Sequence, residues 1–297
     1  MEFDSLNILL PLFLLILGGF AISRLFSIPE GAIVRIVTDF FMPLLVLHSF
    51  CTTKIPLDHI YRLFGVVSLL IALIFAIGWL YCRSFKLDIK AVMPPLLFMN
   101  SGFLGIPLMK LWGGLTAMNL IIIYDQIQTF YIFTLGIIIV TGSYRLTGII
   151  EMIRSPLIWA IVVGFGINLA QIEVHPTLLN ALKIGGEAAP PLAIFTIGMV
   201  LNRYKIRIDR HVLLGVTIRI GFGFLFGLAL ALLFGFSGMA ATVVVIASAL
   251  PSAVFSVVLP IRYGVNGQYA GSVLIVSTVL SLLTLPLLFH LSQNLIP

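Results

Sequence analysis

The sequence predicts an all-α membrane protein with ten transmembrane helices, arranged as two five-helix repeats of opposite orientation in which helices four and nine are broken. Three observations support this prediction. Of the 297 residues 60% are hydrophobic, only 9% are charged, and one apolar stretch in each half is interrupted by Gly or Pro. Soluble domains carry about 25% charged residues, which excludes that class. Long apolar runs, rather than ten-residue alternation, indicate helices and not a β-barrel.

Ten apolar runs of helical length supply the predicted spans. They are centred on residues 6–23, 33–50, 64–81, 92–111, 117–140, 152–170, 178–201, 212–234, 240–261 and 269–290. Of the 17 Lys and Arg residues, twelve follow odd-numbered spans and four follow even-numbered spans. Because cytoplasmic loops are rich in these residues, this asymmetry predicts that both termini lie outside the cell. The net charge of +6 is therefore a topology signal and not a surface for nucleic acid.

Residues 1–147 and 148–297 are the two predicted repeats. Each holds five spans, so the second enters the membrane from the opposite side, as in inverted-repeat transporters. Similar residues recur in the same order: Asp39 and Glu187 each stand four residues before a proline. The fourth and ninth spans also align, with Asn100-Ser101-Gly102 opposite Pro251-Ser252-Ala253.

The interrupted spans predict a binding site. Asn100, Ser101, Gly102 and Pro107 lie in span four, and Pro251 and Ser252 lie in span nine. A helix break inside a membrane is tolerated only where protein or a water-filled cavity satisfies the released backbone groups. The amino-terminal ends of half-helices carry positive dipole ends, which favour a carboxylate, and the Asn and Ser side chains add donors. We expect an anion site in mostly apolar surroundings.

Ionisable residues inside spans are further candidates, because each costs at least about 2.5 kcal/mol to insert. We expect Asp125 and Gln128, on nearly the same face of span five, to line the cavity opposite the broken helix; an interhelical hydrogen-bond cluster is the alternative. Asp39, Glu187 and Asp125 are candidates for proton uptake, and sodium held by backbone carbonyls is the alternative. Arg219 is expected to reach the cytoplasmic surface from the start of its helix, rather than to pair with a carboxylate or an anion.

Three segments resemble the auxin efflux carrier family. Residues 100–108 resemble its fourth-helix motif Asn-x-x-x-x-Gly-Ile-Pro-Leu, residues 249–251 match its Ala-Leu-Pro crossover in the ninth helix, and residues 42–45 with His48 resemble its second helix. The resemblance implies helices four and nine that cross at prolines, Pro107 and Pro251 here. It also implies a scaffold of helices one, two, six and seven, a transport domain of the other six, an elevator-like movement and often a homodimer.

Substrates in that family are organic anions, which are auxin in plants and dicarboxylates such as malate or malonate in microbes. By this resemblance Asn100 would contact the substrate carboxylate. The connection after span five is shorter than in plant carriers, which favours a microbial inner-membrane carrier. We therefore expect a secondary transporter and no enzyme, with coupling to protons or sodium, no cofactor and no nucleic-acid partner; the sequence names no metal.

Three other functions stay open at this point. A bile-acid-type sodium symporter shares the ten-helix inverted design, and a transporter-like sensor would bind its ligand without moving it. An intramembrane aspartyl protease would use Tyr124-Asp125 as half of its catalytic pair. The partner motif Gly-x-Gly-Asp is missing from the sequence, which disfavours the protease.

Overall fold

The computed structural model describes residues 5–52, 57–142, 150, 153–154, 156–203 and 206–296, and within them all regular secondary structure is helical except one isolated β-bridge. The predicted boundary between the repeats, at residues 147 and 148, lies outside the described residues. Residues 1–4 and 297, which bear on the predicted side of the termini, lie outside them too.

The first half of the chain forms helices α1 to α6. Helix α1 spans Ser5–Leu25, and α2 joins Glu30–Ile36, a π-helical Val37–Phe41 and Met42–Thr52. Helices α3 (Leu57–Phe85) and α4 (Ile89–Leu97) follow. Residues 101–112 form α5 and residues 115–141 form α6, with π-helical turns at Ser101–Gly105 and Ile132–Gly136. Gly113 and Gly114 separate α5 from α6, and Gly114 adopts a φ of 65°, which glycine tolerates without strain.

The second half of the described chain forms helices α7 to α13. They are α7 (Pro156–Leu169), α8 (Pro176–Glu187), α9 (Ala189–Arg203), α10 (Arg210–Val216, a π-helical Thr217–Phe222 and Gly223–Leu233), α11 (Gly238–Ala249), α12 (Phe255–Arg262) and α13 (Gln268–Leu295). Asp209 caps the amino terminus of α10, because its carboxylate accepts the backbone N–H groups of His211 and Val212 at 2.9 Å each.

Within the part of the chain that the structure describes, six helical stretches are long and apolar enough to cross a membrane. They are Gly31–Thr52, Asp58–Phe85, Ser101–Thr141, Pro176–Asn202, Arg210–Leu233 and Gln268–Leu295, and shorter apolar helices cover Leu10–Leu25, Pro156–Leu169 and Gly238–Ala249. Each of the ten predicted spans overlaps helical residues, and the fourth and the ninth are each divided into two helices. The structure is thus that of an all-α membrane protein, while the count of ten spans and the inverted repeat remain predictions.

The helices pack in two groups. Helix α1 lies along α9, and α2 packs against α7 and α8. Gly19 and Gly198 permit the first contact, because a Cβ on either residue would overlap a backbone carbonyl oxygen of the opposite helix. Helices α3 to α6 and α10 to α13 contact one another and enclose the two breaks in the chain.

Candidate functional site

The two interrupted spans meet at one place. The segment between α4 and α5 (residues 98–100) and the segment between α11 and α12 (residues 250–254) are not helical, and we call the pair the crossing. Met99 and Ser252 form an antiparallel β-bridge there. Two backbone hydrogen bonds flank the bridge: Asn100 N–H donates to Pro251 O at 2.8 Å, and Ala253 N–H donates to Phe98 O at 2.9 Å. The paired segments therefore satisfy part of each other's backbone, as a helix break in an apolar environment requires.

The crossing includes Pro251 but not Pro107, which corrects the expectation that both helices break at these prolines. Pro107 lies within α5, directly after the π-helical turn Ser101–Gly105. A proline lacks an N–H for the i−4 bond, and the preceding π-helical turn already departs from that bonding pattern. The first half breaks earlier, after Leu97.

Gln128 pairs with the backbone of the crossing. Its Oε1 accepts the N–H of Met99 at 3.0 Å, and its Nε2 donates to Met99 O at 2.8 Å. In the second half, Ser277 Oγ accepts the N–H of Ser252 at 3.1 Å. Each residue of the bridge is thus held by a side chain from the long helix that follows its own half-helix, α6 or α13.

The carboxyl group of Asp125, a residue of α6, lies at the amino-terminal end of α5. Its Oδ1 accepts the Ser101 hydroxyl at 2.6 Å, and its Oδ2 accepts Gln126 Nε2 at 3.0 Å. A Cβ at Gly102 would lie 3.2 Å from Oδ1, so the missing side chain lets the carboxyl group approach the first turn. A carboxylate is favoured at a helix amino terminus by the dipole. Asp125 and Gln128 therefore both face the broken helix.

Asn100 contributes a buried donor without a partner. Its side chain is 2% exposed, and Nδ2 has no hydrogen-bond partner among the described residues. Its backbone oxygen is satisfied, since it accepts the N–H groups of Leu104 and Gly105 at 3.3 and 3.0 Å. A buried polar group without a partner costs about 1–3 kcal/mol. An acceptor atom on a bound ligand would remove that cost.

The hydroxyl of Ser252 is already used within the protein. It lies 2.7 Å from Ser256 Oγ, which in turn donates to Ala253 O at 2.5 Å. The structure therefore brings Ser252 to the crossing, as expected, with its hydroxyl engaged by the first turn of α12. Among the described side chains of the crossing, the amide of Asn100 has a donor free for a guest.

Asp39 and Glu187 are not brought to the crossing. Asp39 lies in the π-helical stretch of α2, is exposed, and accepts the hydroxyl of its neighbour Thr38 at 2.9 Å. Glu187, the last residue of α8, is also exposed. Their helices, α2 and α8, belong to the other packing group than α4, α5 and α6. A coupling role for the two carboxylates remains a prediction. Among the residues that the structure describes, no group of three or more His, Cys, Asp or Glu is placed to hold a metal ion.

Arg219 corrects the expectation of a side chain that reaches the cytoplasmic surface. The residue is 0% exposed, and Nη1 donates to Leu96 O at 2.7 Å and to Leu97 O at 3.1 Å. Nη2 donates to Ser248 O. The guanidinium group therefore joins the ends of α4 and α11, immediately before both breaks. Gly223 and Gly227, four and eight residues further on, were the signal in the sequence that could have indicated a closely packed, inward-facing helix surface.

Comparison with known proteins finds that this chain is similar to transporters. Residues 144–289 match a family model described as membrane transport protein. An uncharacterized transporter from the archaeon Methanothermobacter thermautotrophicus is 29% identical over 213 residues, which cover 69% of this chain and 67% of that relative. The family match includes Arg219 and the second segment of the crossing, and the first segment lies before it.

Proposed function

Because the family model and the archaeal relative support a transporter of the auxin efflux carrier family, we propose that this chain moves small organic anions across a membrane by secondary transport. The observation on which the proposal depends is the buried Nδ2 of Asn100 at the crossing of two half-helices, which has no hydrogen-bond partner among the described residues. A donor held there without an acceptor suits a guest that brings one.

The guest we propose is a carboxylate. Helices α5 and α12 both begin at the crossing, and helix amino termini favour negative charge. The neighbouring side chains of Phe103, Leu104 and Leu250 are buried and apolar. An auxin-like carboxylate, with its anionic group on an apolar ring system, combines these two properties, and the dicarboxylates malate and malonate offer the anionic group without the apolar body.

Asp125 is the coupling group that we propose. Its carboxyl group occupies the start of α5, so an ionised Asp125 and a bound carboxylate would place two negative charges near one helix end. Two like charges 4 Å apart at an effective dielectric constant of 20 repel by about 4 kcal/mol. Uptake of a proton by Asp125 would relieve this repulsion and couple anion entry to proton entry.

The movement that we propose is of the elevator type, in a protein of ten spans arranged as an inverted repeat with both termini outside. The packing of α1 on α9 and of α2 on α7 and α8 supports a static scaffold, against which the remaining helices would move. The equivalent roles of Gln128 and Ser277 support the repeat. A buried pair, Ser49 on α2 and Asn119 on α6, joins the two groups and would have to separate during the movement.

Flux into liposomes tests the proposal. The protein is reconstituted, and uptake of labelled malate, malonate and indole-3-acetate is followed under imposed proton, sodium and voltage gradients. Uptake of at least one carboxylate is expected. If no organic acid enters under any gradient, the chain is not such a carrier, and binding without uptake would identify a sensor instead. Strict sodium dependence with steroid uptake would favour a symporter of the bile-acid type.

Asn100→Ala tests the position of the site. The variant loses the unpaired donor and is expected to fold, with carboxylate binding weakened roughly tenfold or more, the effect of losing about 1.4 kcal/mol. Asn180→Ala, which changes an exposed asparagine on α8, is the matched control and should bind like the unmodified protein. Equal carboxylate affinity of the two variants would show that the anion binds elsewhere.

A further inference from the structure

Three carbonyl oxygens from two helix ends converge on Arg219. Leu96 and Leu97 are the last two residues of α4, and Ser248 precedes the last residue of α11. Carbonyl groups in the last turn of a helix have no partner within the helix. Each carboxyl-terminal end also carries roughly −0.5 of an elementary charge. Two such ends present about one negative charge, and one guanidinium group balances it.

Helix α10 is shaped to deliver this group. Arg219 lies inside the π-helical turn Thr217–Phe222, a local widening of the kind that is frequent at functional sites. A Cβ at Gly223 would lie 2.6 Å from Nη2 of Arg219 and would overlap the carbonyl oxygen of Ser248. A Cβ at Gly227 would lie 2.6 Å from the Cβ of Ser248. The two glycines therefore let α10 approach α11 closely enough for the guanidinium group to reach both half-helices.

The same carbonyls form the kind of site that binds a metal cation in other carriers. In transporters with discontinuous helices, unwound carbonyls and the carboxyl-terminal ends of half-helices coordinate Na⁺. Here the guanidinium group already occupies the point where these oxygens converge. A cation bound to the same oxygens would have to displace a buried side chain of equal charge.

We propose that Arg219 is the resident cation of the crossing, a positioning residue that holds the ends of α4 and α11 together in the place of a bound sodium ion. The proposal relies on the proposed function only in treating the crossing as the transport site. On this proposal the crossing assembles without a sodium ion. The coupling of transport to an ion gradient would then depend on another group.

Thermal unfolding of the full-length protein in detergent tests this assignment without any transport. The apparent melting temperature is measured in choline chloride and in sodium chloride at equal ionic strength, and again with millimolar guanidinium chloride. The unmodified protein should melt at the same temperature in both salts. Arg219→Ala should melt roughly 10 °C lower in choline, since it leaves buried carbonyls unpaired, and added guanidinium or sodium should restore part of the loss.

Arg62→Ala is the matched control. Arg62, a residue of α3, also donates to carbonyls at the end of a helix, those of Phe234 and Gly235 after α10 at 3.3 and 3.2 Å, but its own side chain is partly exposed. Its removal should leave no response to guanidinium. An equal response of the two alanine variants would overturn the proposal, and so would saturable stabilisation of the unmodified protein by sodium over choline.

If Arg219→Ala does not fold, a pair of conservative variants tests whether Arg219 acts through its positive charge. Lysine keeps the positive charge without the planar fork, and glutamine keeps donors without the charge. Arg219→Lys should melt well above Arg219→Gln if the group acts as a cation. Equal melting temperatures would show that only hydrogen bonding matters and would refute the assignment. If the protein transports no carboxylate, the proposed function is refuted. The comparison of the melting temperatures of the Arg219 variants still tests the role of Arg219.

Discussion

Replacing Gln128 by leucine is expected to destabilise the crossing with little change in side-chain volume. The substitution removes three hydrogen bonds of a side chain that is 1% exposed: from Met99 N–H at 3.0 Å, to Met99 O at 2.8 Å and to Ser101 Oγ at 3.0 Å. Two of the three partners keep another bond. Met99 O still accepts the N–H of Ser101 at 2.9 Å, and the Ser101 hydroxyl still donates to Asp125.

The expected loss is about 2–4 kcal/mol of unfolding free energy. The N–H of Met99 has no other bond among the described residues, and a buried group left unpaired costs about 1–3 kcal/mol. The two other bonds are each worth about 0.6 kcal/mol, the average for hydrogen bonds between membrane helices. The first contribution dominates because the segment is not helical and offers this N–H no i−4 carbonyl.

Denaturant titration in detergent micelles measures this loss, with Gln126→Leu as the control. Gln126 is half-buried and donates one bond to Asp125 at 3.0 Å, so its removal should cost less than about 1 kcal/mol. Gln128→Leu should also make the amide of Met99 exchange faster with deuterium. If the two leucine variants have equal stability, Gln128 does not support the crossing and the reasoning fails.

Three further changes have definite expected outcomes. Asp125→Asn keeps an oxygen for the Ser101 hydroxyl, so the variant should fold and bind carboxylates while its flux no longer responds to a proton gradient in liposomes. Gly223→Ala should lower the melting temperature by roughly 2–8 °C, because the new Cβ meets the carbonyl of Ser248 and overpacking costs about 1–3 kcal/mol. Gly198→Ala should loosen α1 from α9 and speed proteolysis of the folded protein, since the Cβ overlaps a backbone oxygen of α1.

Each of these changes has a control or a contrary outcome. Gly221→Ala is the control for Gly223→Ala, because it lies in the same helix. The new Cβ would lie 3.8 Å from its nearest neighbour, so the change should be tolerated. Gly18→Ala, with a nearest neighbour at 3.9 Å, serves in the same way for Gly198. A stability loss shared by both members of either pair would refute the argument from close packing. Flux by Asp125→Asn that still follows the proton gradient would move the coupling group elsewhere.

Much of the first half of the site could be predicted from local sequence. Asn100, Ser101 and Gly102 form a polar, glycine-containing interruption in an apolar run, and such an interruption requires a partner. Asp125 and Gln128 are three residues apart, which places them on nearly the same face of a helix. The structure directs that face at Met99 and Ser101.

Arg219 could not be predicted in the same way. Its acceptors Leu96 and Ser248 are 123 and 29 residues away in the chain, and hydropathy describes each helix separately. The distance of Arg219 from the start of its helix suggested a route to the surface. The π-helical turn and the glycine contact with α11 turn the side chain inwards instead.

The amino-acid sequence by itself determined that the chain is a helical membrane protein with one interrupted apolar stretch in each half, because composition and periodicity act locally along a chain. Only the tertiary structure decided that the two interruptions pair at Met99 and Ser252, that Pro107 stands clear of the break, and that one arginine joins both half-helices. These features depend on which unpaired backbone groups come within hydrogen-bonding distance. That distance is set by the packing of helices far apart in the sequence.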